Sequence, residues 1–236
     1  MQLFAAIFER SFDGFRASRV NSTMDRNRFE QLWQRCAIGK TDSAGSGSRF
    51  DEIFSRYNEA HRRYHTPEHI VHCLQQFDAC RNLLVDANAV ELAVWYHDVV
   101  YDIGADDNEA RSAEFFVRHA KGELSDELIS TVQELIMVTM HLCNRPKTAD
   151  QDYLVDIDLS SFGLPWERFQ RDSVAVREEF PQIPDKEFYP KQEHFLAELL
   201  RRESFCFTAF FRERHERQAR ENISAYLQNL KAQGLL

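Results

Sequence analysis

The chain has 236 residues, a net charge of −9 from 29 Lys and Arg against 38 Asp and Glu, and 43% hydrophobic residues. This hydrophobic fraction excludes a wholly disordered chain, and the length predicts a single domain. The acidic balance argues against binding to nucleic acid or to anionic membranes, because both depend on clustered Lys and Arg. Binding of a small phosphorylated ligand is compatible with this net charge.

The apolar residues recur mostly at helical spacing, and glycine and proline are scarce, at 8 and 6 residues. No sustained alternation indicates a strand, so an all-α fold is predicted. Residues 1–24 are expected to form an N-terminal extension, and the Gly- and Ser-rich residues 39–48 a loop. The predicted helices cover residues 27–37, 51–63, 67–84, 89–99, 106–121, 126–140, 150–162, 165–180, 185–204 and 207–231.

The cysteines and the apolar runs bear on location. The 5 cysteines include no C-x-x-C pair, so neither a disulfide framework nor a thiolate zinc site is predicted. No apolar run approaches the roughly 18 residues of a membrane span, and the start of the chain lacks the features of a signal peptide. We therefore expect a cytoplasmic protein.

The histidines are the most informative residues. Four of the nine fall within residues 61–72, and His97 is followed directly by Asp98 inside the apolar run VWYHDVV, residues 94–100. A buried imidazole and carboxylate are costly unless a partner satisfies them. A metal ion would do so, because imidazole nitrogen and carboxylate oxygen are common metal ligands.

Three segments contain histidines and aspartates in a characteristic order: YHTPEHI at 64–70, YHDVVYD at 96–102 and DIDL at 156–159. The order H…HD…D resembles the HD-domain superfamily of metal-dependent phosphohydrolases. The segment NEARSA at 108–113, and the glycine that follows DIDL at Gly163, make the chain similar to a bacterial family usually called predicted metal-dependent HD phosphohydrolases. The likeness leaves out the first 24 residues and implies a single HD-domain-like helical bundle over residues 25–236.

The resemblance implies a ligand set and a reaction. One divalent transition metal (Mn, Fe, Co, Ni or Zn) would be held by His69, His97, Asp98 and Asp158, with Asp156 as the rival for the last position. The implied function is hydrolysis of a phosphate ester of a small molecule, a nucleotide among the candidates, by a metal-activated water. Two other functions stay open: a non-catalytic module that senses a nucleotide, and a di-iron oxygenase built on the same helices.

Other residues near these segments are candidates for catalysis and substrate binding. His65 is similar to the proton donor of the cyclic-nucleotide phosphodiesterases, although it could equally belong to the turn before Pro67. Asp102 could orient or deprotonate the nucleophilic water, or could be a turn residue before Gly104. The candidate substrate contacts are Arg62, Arg63, Glu109, His141, Arg145 and Lys147.

Several of these contacts have ordinary structural alternatives. Arg62 and Arg63 suit a solvated helix face, and Glu109 suits a capping box with Asp106. His141 could be a second metal ligand, or a cation at the C-terminal end of its helix. A homodimer is also left open, because the Phe-rich residues 205–211 could form either core or a dimer surface.

Overall fold

The structure is a computed structural model that describes residues 24–39, 43–141 and 145–236, with residues 43–46 as backbone alone. It confirms the all-α prediction, and no strand occurs in these ranges. In the same part of the chain, no helix combines the length and the apolar character needed to cross a membrane. The predicted N-terminal extension, apart from Met24, lies outside the described residues.

The helices pack in one bundle. In chain order they are α1 (Arg26–Cys36), α2 (Ser43–Tyr57), α3 (Pro67–Cys80), α4 (Ala87–Tyr96), α5 (Asn108–Ala120), α6 (Asp126–Val138), α7 (Ala149–Leu159), α8 (Trp166–Glu178), α9 (Asp185–Arg201) and α10 (Arg217–Ala232). A 3-10 turn, Ser160–Gly163, follows α7. A short helical turn, Ala209–Phe211, and a π turn, Arg212–Glu216, lead into α10.

Helix α4 lies at the centre of the bundle and contacts α1, α3, α5, α6 and α7. Its residues from Ala89 to Tyr96 are all buried, as expected for a helix that is apolar on every side. The one charged member, Glu91, is satisfied by ion pairs with Arg28 and Arg35. The central helix therefore carries the His97-Asp98 pair, which follows it directly, into the interior of the bundle.

Several predicted boundaries are wrong. Residues 43–48 belong to α2 and not to a loop, and Arg26 donates a hydrogen bond of 3.0 Å to the carbonyl oxygen of Gly47. A Cβ atom at Gly47 would lie 3.3 Å from the end of the Arg26 side chain, which would have to shift slightly to admit it. Helix α2 ends at Tyr57 instead of residue 63, which leaves residues 58–66 as a loop.

Two helices next to the predicted ligands also differ from the prediction. Helix α4 begins at Ala87, after the cap Asp86, instead of at residue 89, and it ends at Tyr96 instead of continuing to residue 99. Helix α5 begins at Asn108, and its N-cap Asp107 makes no side-chain capping bond, so the predicted capping box at Asp106 does not form. Helix α6 begins at Asp126 as predicted, and the hydroxyl of its N-cap Ser125 accepts from the backbone nitrogen of Leu128.

The Phe-rich segment belongs to the core. Phe205 and Phe211 are 1% and 0% exposed, and Phe207 and Phe210 pack against the core at partial exposure. Nearby, the 3-10 turn and the π turn touch at Gly163, where an added Cβ would lie 2.6 Å from the Cβ of His215. Only glycine fits that contact, which fixes the segment directly after α7.

Candidate metal centre

Three elements bring the predicted ligands together. His69 lies in the first turn of α3, where Pro67 at the first helical position fixes the start of the helix. His97 caps the C-terminal end of α4, and Asp158 lies in the last turn of α7. His69 is 4% exposed and His97 is 1% exposed, so both imidazoles are withdrawn from bulk solvent.

The distances between the ligand atoms suit a shared ion. His69 Nε2 lies 3.3 Å from His97 Nε2 and 3.1 Å from Asp158 Oδ1, and His97 Nε2 lies 3.5 Å from that oxygen. Asp98 Oδ2 lies 3.1 Å from His97 Nε2 and 3.6 Å from His69 Nε2. Metal bonds of about 2.0–2.2 Å place neighbouring ligands about 3.0–3.4 Å apart, so the residues present fit a divalent ion.

A cysteine absent from the prediction joins this cluster. Cys73 lies one turn after His69 on α3, and its Sγ is 3.6 Å from His69 Nε2. His69, Cys73, His97 and Asp158 form a group whose ligand atoms all lie within 4.8 Å of one another. Burial raises the pKa of the Cys73 thiol well above its ordinary value, and the charges of Asp158 and Asp98 add to the rise.

His97 and the two carboxylates of the cluster stabilise one another's charged forms. Burial alone would raise the pKa of Asp158, but the charge of His97 and hydrogen bonds from His141 and His69 hold it well below its ordinary value. Burial acts to lower the pKa of His97, yet Asp98 and Asp158 raise it well above its ordinary range. The acids are thus ready to bind a cation in their ionised form.

The orientation of two ligands is fixed by hydrogen bonds outside the cluster. His97 Nδ1 donates to the carbonyl oxygen of Val94 at 3.0 Å, which leaves Nε2 to face the other ligands. His141 Nε2 donates to Asp158 Oδ2 at 2.9 Å, so the other oxygen, Oδ1, faces His69 and His97. His141, predicted as a substrate contact or second ligand, is thus in direct contact with a ligand.

Asp156, the rival for the last ligand position, is turned away from the cluster. Its two carboxylate oxygens accept from the backbone nitrogens of Phe207 and Thr208 at 2.8 and 2.7 Å, and from the Thr208 hydroxyl at 2.7 Å. It therefore fixes the start of the helical turn Ala209–Phe211. Of the two acids, the structure brings Asp158 to the histidines.

His65, the predicted proton donor, is paired with an acid that the sequence did not reveal. His65 Nδ1 donates to Glu179 Oε2 at 2.7 Å. The other oxygen of Glu179 accepts from the backbone nitrogens of Arg63, Tyr64 and His65 at 2.8, 2.9 and 3.0 Å. These bonds outweigh the effect of burial and lower the pKa of Glu179 to about 2. Burial acts to lower the pKa of His65, but the charges of Asp98 and Glu179 raise it overall.

One signal in the sequence could have pointed to Glu179. The pair Glu178-Glu179 stands at the C-terminal end of α8, where a carboxylate opposes the helix dipole. An acid in that position needs donors from elsewhere, and Glu179 is fully buried while Glu178 is exposed. The identity of those donors follows only from the fold.

Arg62 connects the two segments that bear the histidines and is not free to bind a phosphate. Its guanidinium is buried and donates to the carbonyl oxygens of Asp98 at 2.7 Å, Val99 at 3.0 Å and His65 at 3.2 Å. The prediction that Arg62 contacts substrate gives way to a structural role. Because helix α2 stops early, Arg62 lies in a loop that can turn inward.

The remaining predicted residues lie farther from the cluster or at its edge. Asp102 is exposed and pairs with Arg111 at 2.6 Å, and it is not on a helical turn with Asp98 because α4 has already ended. Arg63, Arg145 and Lys147 are exposed. Glu109 is partly buried beside the cluster, and burial, with the charge of Asp98, raises its pKa.

A cavity of about 690 Å³ opens from the cluster. Its lining includes His65, Asp98, His141 and Asp158 at one end, together with Asp102 and Glu109. Arg62, Arg63, Arg145 and Lys147 are not among the described residues that line it. The volume is in the range of about 300–1,000 Å³ that is usual for small-molecule sites.

Comparison of the chain with protein-family models, with curated proteins and with solved structures found no match in any of the three. What the cluster can do is therefore inferred from its own geometry and chemistry.

Proposed function

We propose that the chain is a metal-dependent phosphohydrolase of the HD type, which cleaves a phosphate ester of a small molecule. The observation that carries the proposal is the convergence of two imidazoles and two carboxylates at the end of a small-molecule cavity, beside the His65–Glu179 pair. This mixed nitrogen and oxygen set suits Mn, Fe, Co, Ni or Zn. Such a metal, when bound, polarises a phosphoryl oxygen and makes a coordinated water more acidic.

His69, His97, Asp98 and Asp158 are the residues that would hold the ion. Both carboxylates are ionised in this environment, and the bond from His97 Nδ1 to Val94 leaves Nε2 as the nitrogen that would bind the ion once its proton is lost. The hydrogen bond from His141 keeps Asp158 turned toward the histidines. The protein therefore arranges its ligands before the ion arrives, which reduces the cost of binding it.

His65 is placed to protonate the oxygen of the leaving alcohol. Its Nδ1 donates to Glu179, so its Nε2 is the nitrogen left for a ligand in the cavity that it lines. The charges of Asp98 and Glu179 raise its pKa, which keeps the ring protonated closer to neutral pH. This imidazole–carboxylate pair favours catalysis over a nucleotide-sensing role, because a sensor has no need of a proton donor.

Metal analysis combined with an activity assay tests the proposal. The full-length protein should bind about one equivalent of metal and hydrolyse phosphate esters, lose the activity to a chelator, and regain it with Mn, Co or Ni. His97→Ala and Asp158→Ala should lose both the metal and the activity, whereas His194→Ala, at an exposed position on α9, should keep both. Full metal retention in both ligand variants would refute the site, and activity in the chelated protein would refute the reaction.

A further inference from the structure

The cavity is apolar over most of its wall beyond the ligand cluster. The side chains that form this wall come from α8, from α9 and from the loop between them. They are Phe169, Phe180, Ile183, Phe188, Phe195 and Leu196. Phe180, Ile183 and Phe195 are partly exposed, whereas Phe169, Phe188 and Leu196 are at most 7% exposed and are already largely shielded from water. An apolar group in the cavity would shield this wall from water, which favours binding.

The apolar wall begins directly beside the cluster. The ring of Phe195 lies 6.4 Å from the ring of His141, and His141 is bonded to Asp158. A phosphoryl group held at the ligands would therefore place the alcohol part of an ester against aromatic side chains. The wall is thus in reach of the group that leaves in the reaction.

The charges around the cavity are mostly negative. Six carboxylates line it, namely Asp98, Asp102, Asp106, Glu109, Asp158 and Asp172, whereas Lys191 is the one lysine or arginine among its described lining residues. Lys191 is exposed to solvent. Part of this negative charge is neutralised within the protein, by His97 on Asp98 and Asp158, by Arg111 on Asp102, and by Arg168 and Arg171 on Asp172.

This charge pattern bears on how many phosphoryl groups a substrate can carry. A metal at the cluster would coordinate an oxygen of one phosphoryl group. Further phosphates that extend into this cavity, as in a nucleoside diphosphate or triphosphate, would meet Asp106 and Glu109, whereas Arg63, Arg168 and Arg171 line a second, smaller pocket of about 260 Å³ that His69 also lines. The cavity is therefore suited to a ligand with one charged end and an uncharged body.

From the wall and the charges together, we infer that the substrate is a phosphate monoester of an apolar alkyl or aryl alcohol, and not a nucleotide. This inference rests on the proposed function and narrows it to a substrate class. The phosphoryl group lies at the metal ligands, and the alcohol part lies along the wall of α8 and α9.

A series of substrates on the manganese-loaded, full-length protein tests the inference. We expect kcat/KM to rise from ethyl to butyl, hexyl and octyl phosphate by about three- to fourfold for each buried methylene, until the cavity is filled. Octyl phosphate should also exceed adenosine monophosphate and adenosine diphosphate. A flat series, or a preference for either nucleotide, would overturn the substrate class while leaving metal-dependent hydrolysis intact.

Substitution of Phe195 tests whether the dependence on alkyl chain length arises at the apolar wall of the cavity. Phe195→Ala should reduce kcat/KM for octyl phosphate by more than for ethyl phosphate, because it removes apolar surface from the cavity. The control Phe54→Ala removes the same side chain from a position that is 38% exposed and outside the cavity, and should leave the series unchanged. Equal losses on all esters in Phe195→Ala would contradict the placement.

Binding of alkylphosphonates, which have no ester bond to cleave, separates this inference from the proposed function. Calorimetry of the manganese-loaded protein should show affinity that increases from ethyl- to octylphosphonate. If affinity increases but no ester is hydrolysed, the substrate class stands as a ligand class and the proposed reaction fails. If affinity does not depend on chain length, the inference fails whatever the activity.

Discussion

Replacement of Glu179 by glutamine tests how His65, the proposed proton donor, is held in position. Glu179 Oε1 accepts three backbone hydrogen bonds, from Arg63, Tyr64 and His65, and Oε2 accepts from His65 Nδ1 at 2.7 Å. Glutamine has the same shape and can keep the three backbone bonds through its carbonyl oxygen. Its amide group, however, presents a donor to the Nδ1–H of His65, so that one hydrogen bond and the negative charge are lost.

The size of the effect follows from the pKa of Glu179. The folded protein lowers this pKa from 4.5 to about 2. At about 1.4 kcal/mol for each pKa unit, the ionised form contributes about 3 kcal/mol to stability at neutral pH. Because the folded pKa is the lower one, the contribution is complete above about pH 4.5 and is lost as the pH falls toward 2. Glu179→Gln should therefore lower the free energy of unfolding by about 3 kcal/mol at pH 7, and by progressively less below pH 4.5.

Urea unfolding of the chelated protein at pH 7 and at pH 3, followed by circular dichroism, measures the difference. Glu178→Gln is the matched control, because Glu178 is the exposed neighbour on the same helix and should change stability little at either pH. In the metal-loaded protein, Glu179→Gln should keep its metal but lose kcat on an alkyl phosphate. Equal destabilisation at the two pH values, or equal effects of the two variants, would refute the reasoning.

Three further predictions concern single residues. His65→Ala should keep its metal and lose about 10²–10⁴-fold in rate on an alkyl phosphate, with a much smaller loss on nitrophenyl phosphate; similar losses on both would exclude a proton donor. Asp156→Ala should retain bound metal although it loses a helix cap, whereas Asp158→Ala should not, and elemental analysis of the two decides which acid is the ligand. Arg62→Met should lower the free energy of unfolding by about 3 kcal/mol, because buried carbonyl oxygens lose a charged donor, while Arg63→Met at the exposed neighbouring position should change it by less than about 0.5 kcal/mol. Urea unfolding gives both values, and an equal effect of the two arginine variants would contradict the role of Arg62.

The fold class and the cluster of His and Asp residues could be predicted from the sequence, because both depend on local sequence patterns. Apolar spacing gave the helices, and the improbable burial of His97 beside Asp98 pointed to a shared partner. The helix ends were not within reach. Helix α2 stops at Tyr57 in a structure where Arg62 turns inward to bind carbonyl oxygens after α4, and such a tertiary contact leaves no local signal.

The residues of the site that the sequence did not predict also depend on tertiary contacts. Cys73 falls among the buried apolar residues of α3, and only the position of its sulfur beside His69 makes it part of the cluster. Glu179 belongs to no motif, and its hydrogen-bond donors lie in the loop between α2 and α3. Conversely, Arg62 was overvalued, since a guanidinium next to a motif is as available to the backbone as to a substrate.

The distances along the chain between partners in the site determine when the site can exist during synthesis. His69 and His97 are 28 residues apart, and His65 is 114 residues from Glu179. A nascent chain that ends before α7 has both imidazoles but lacks the carboxylate of Asp158 that closes the cluster. A chain that ends between Asp158 and Glu179 has all four residues of the proposed metal site, while His65, the proposed proton donor, still lacks its partner. The ability to capture metal should thus arise before the ability to turn over substrate, and ribosome-arrested chains of graded length would show the two in that order.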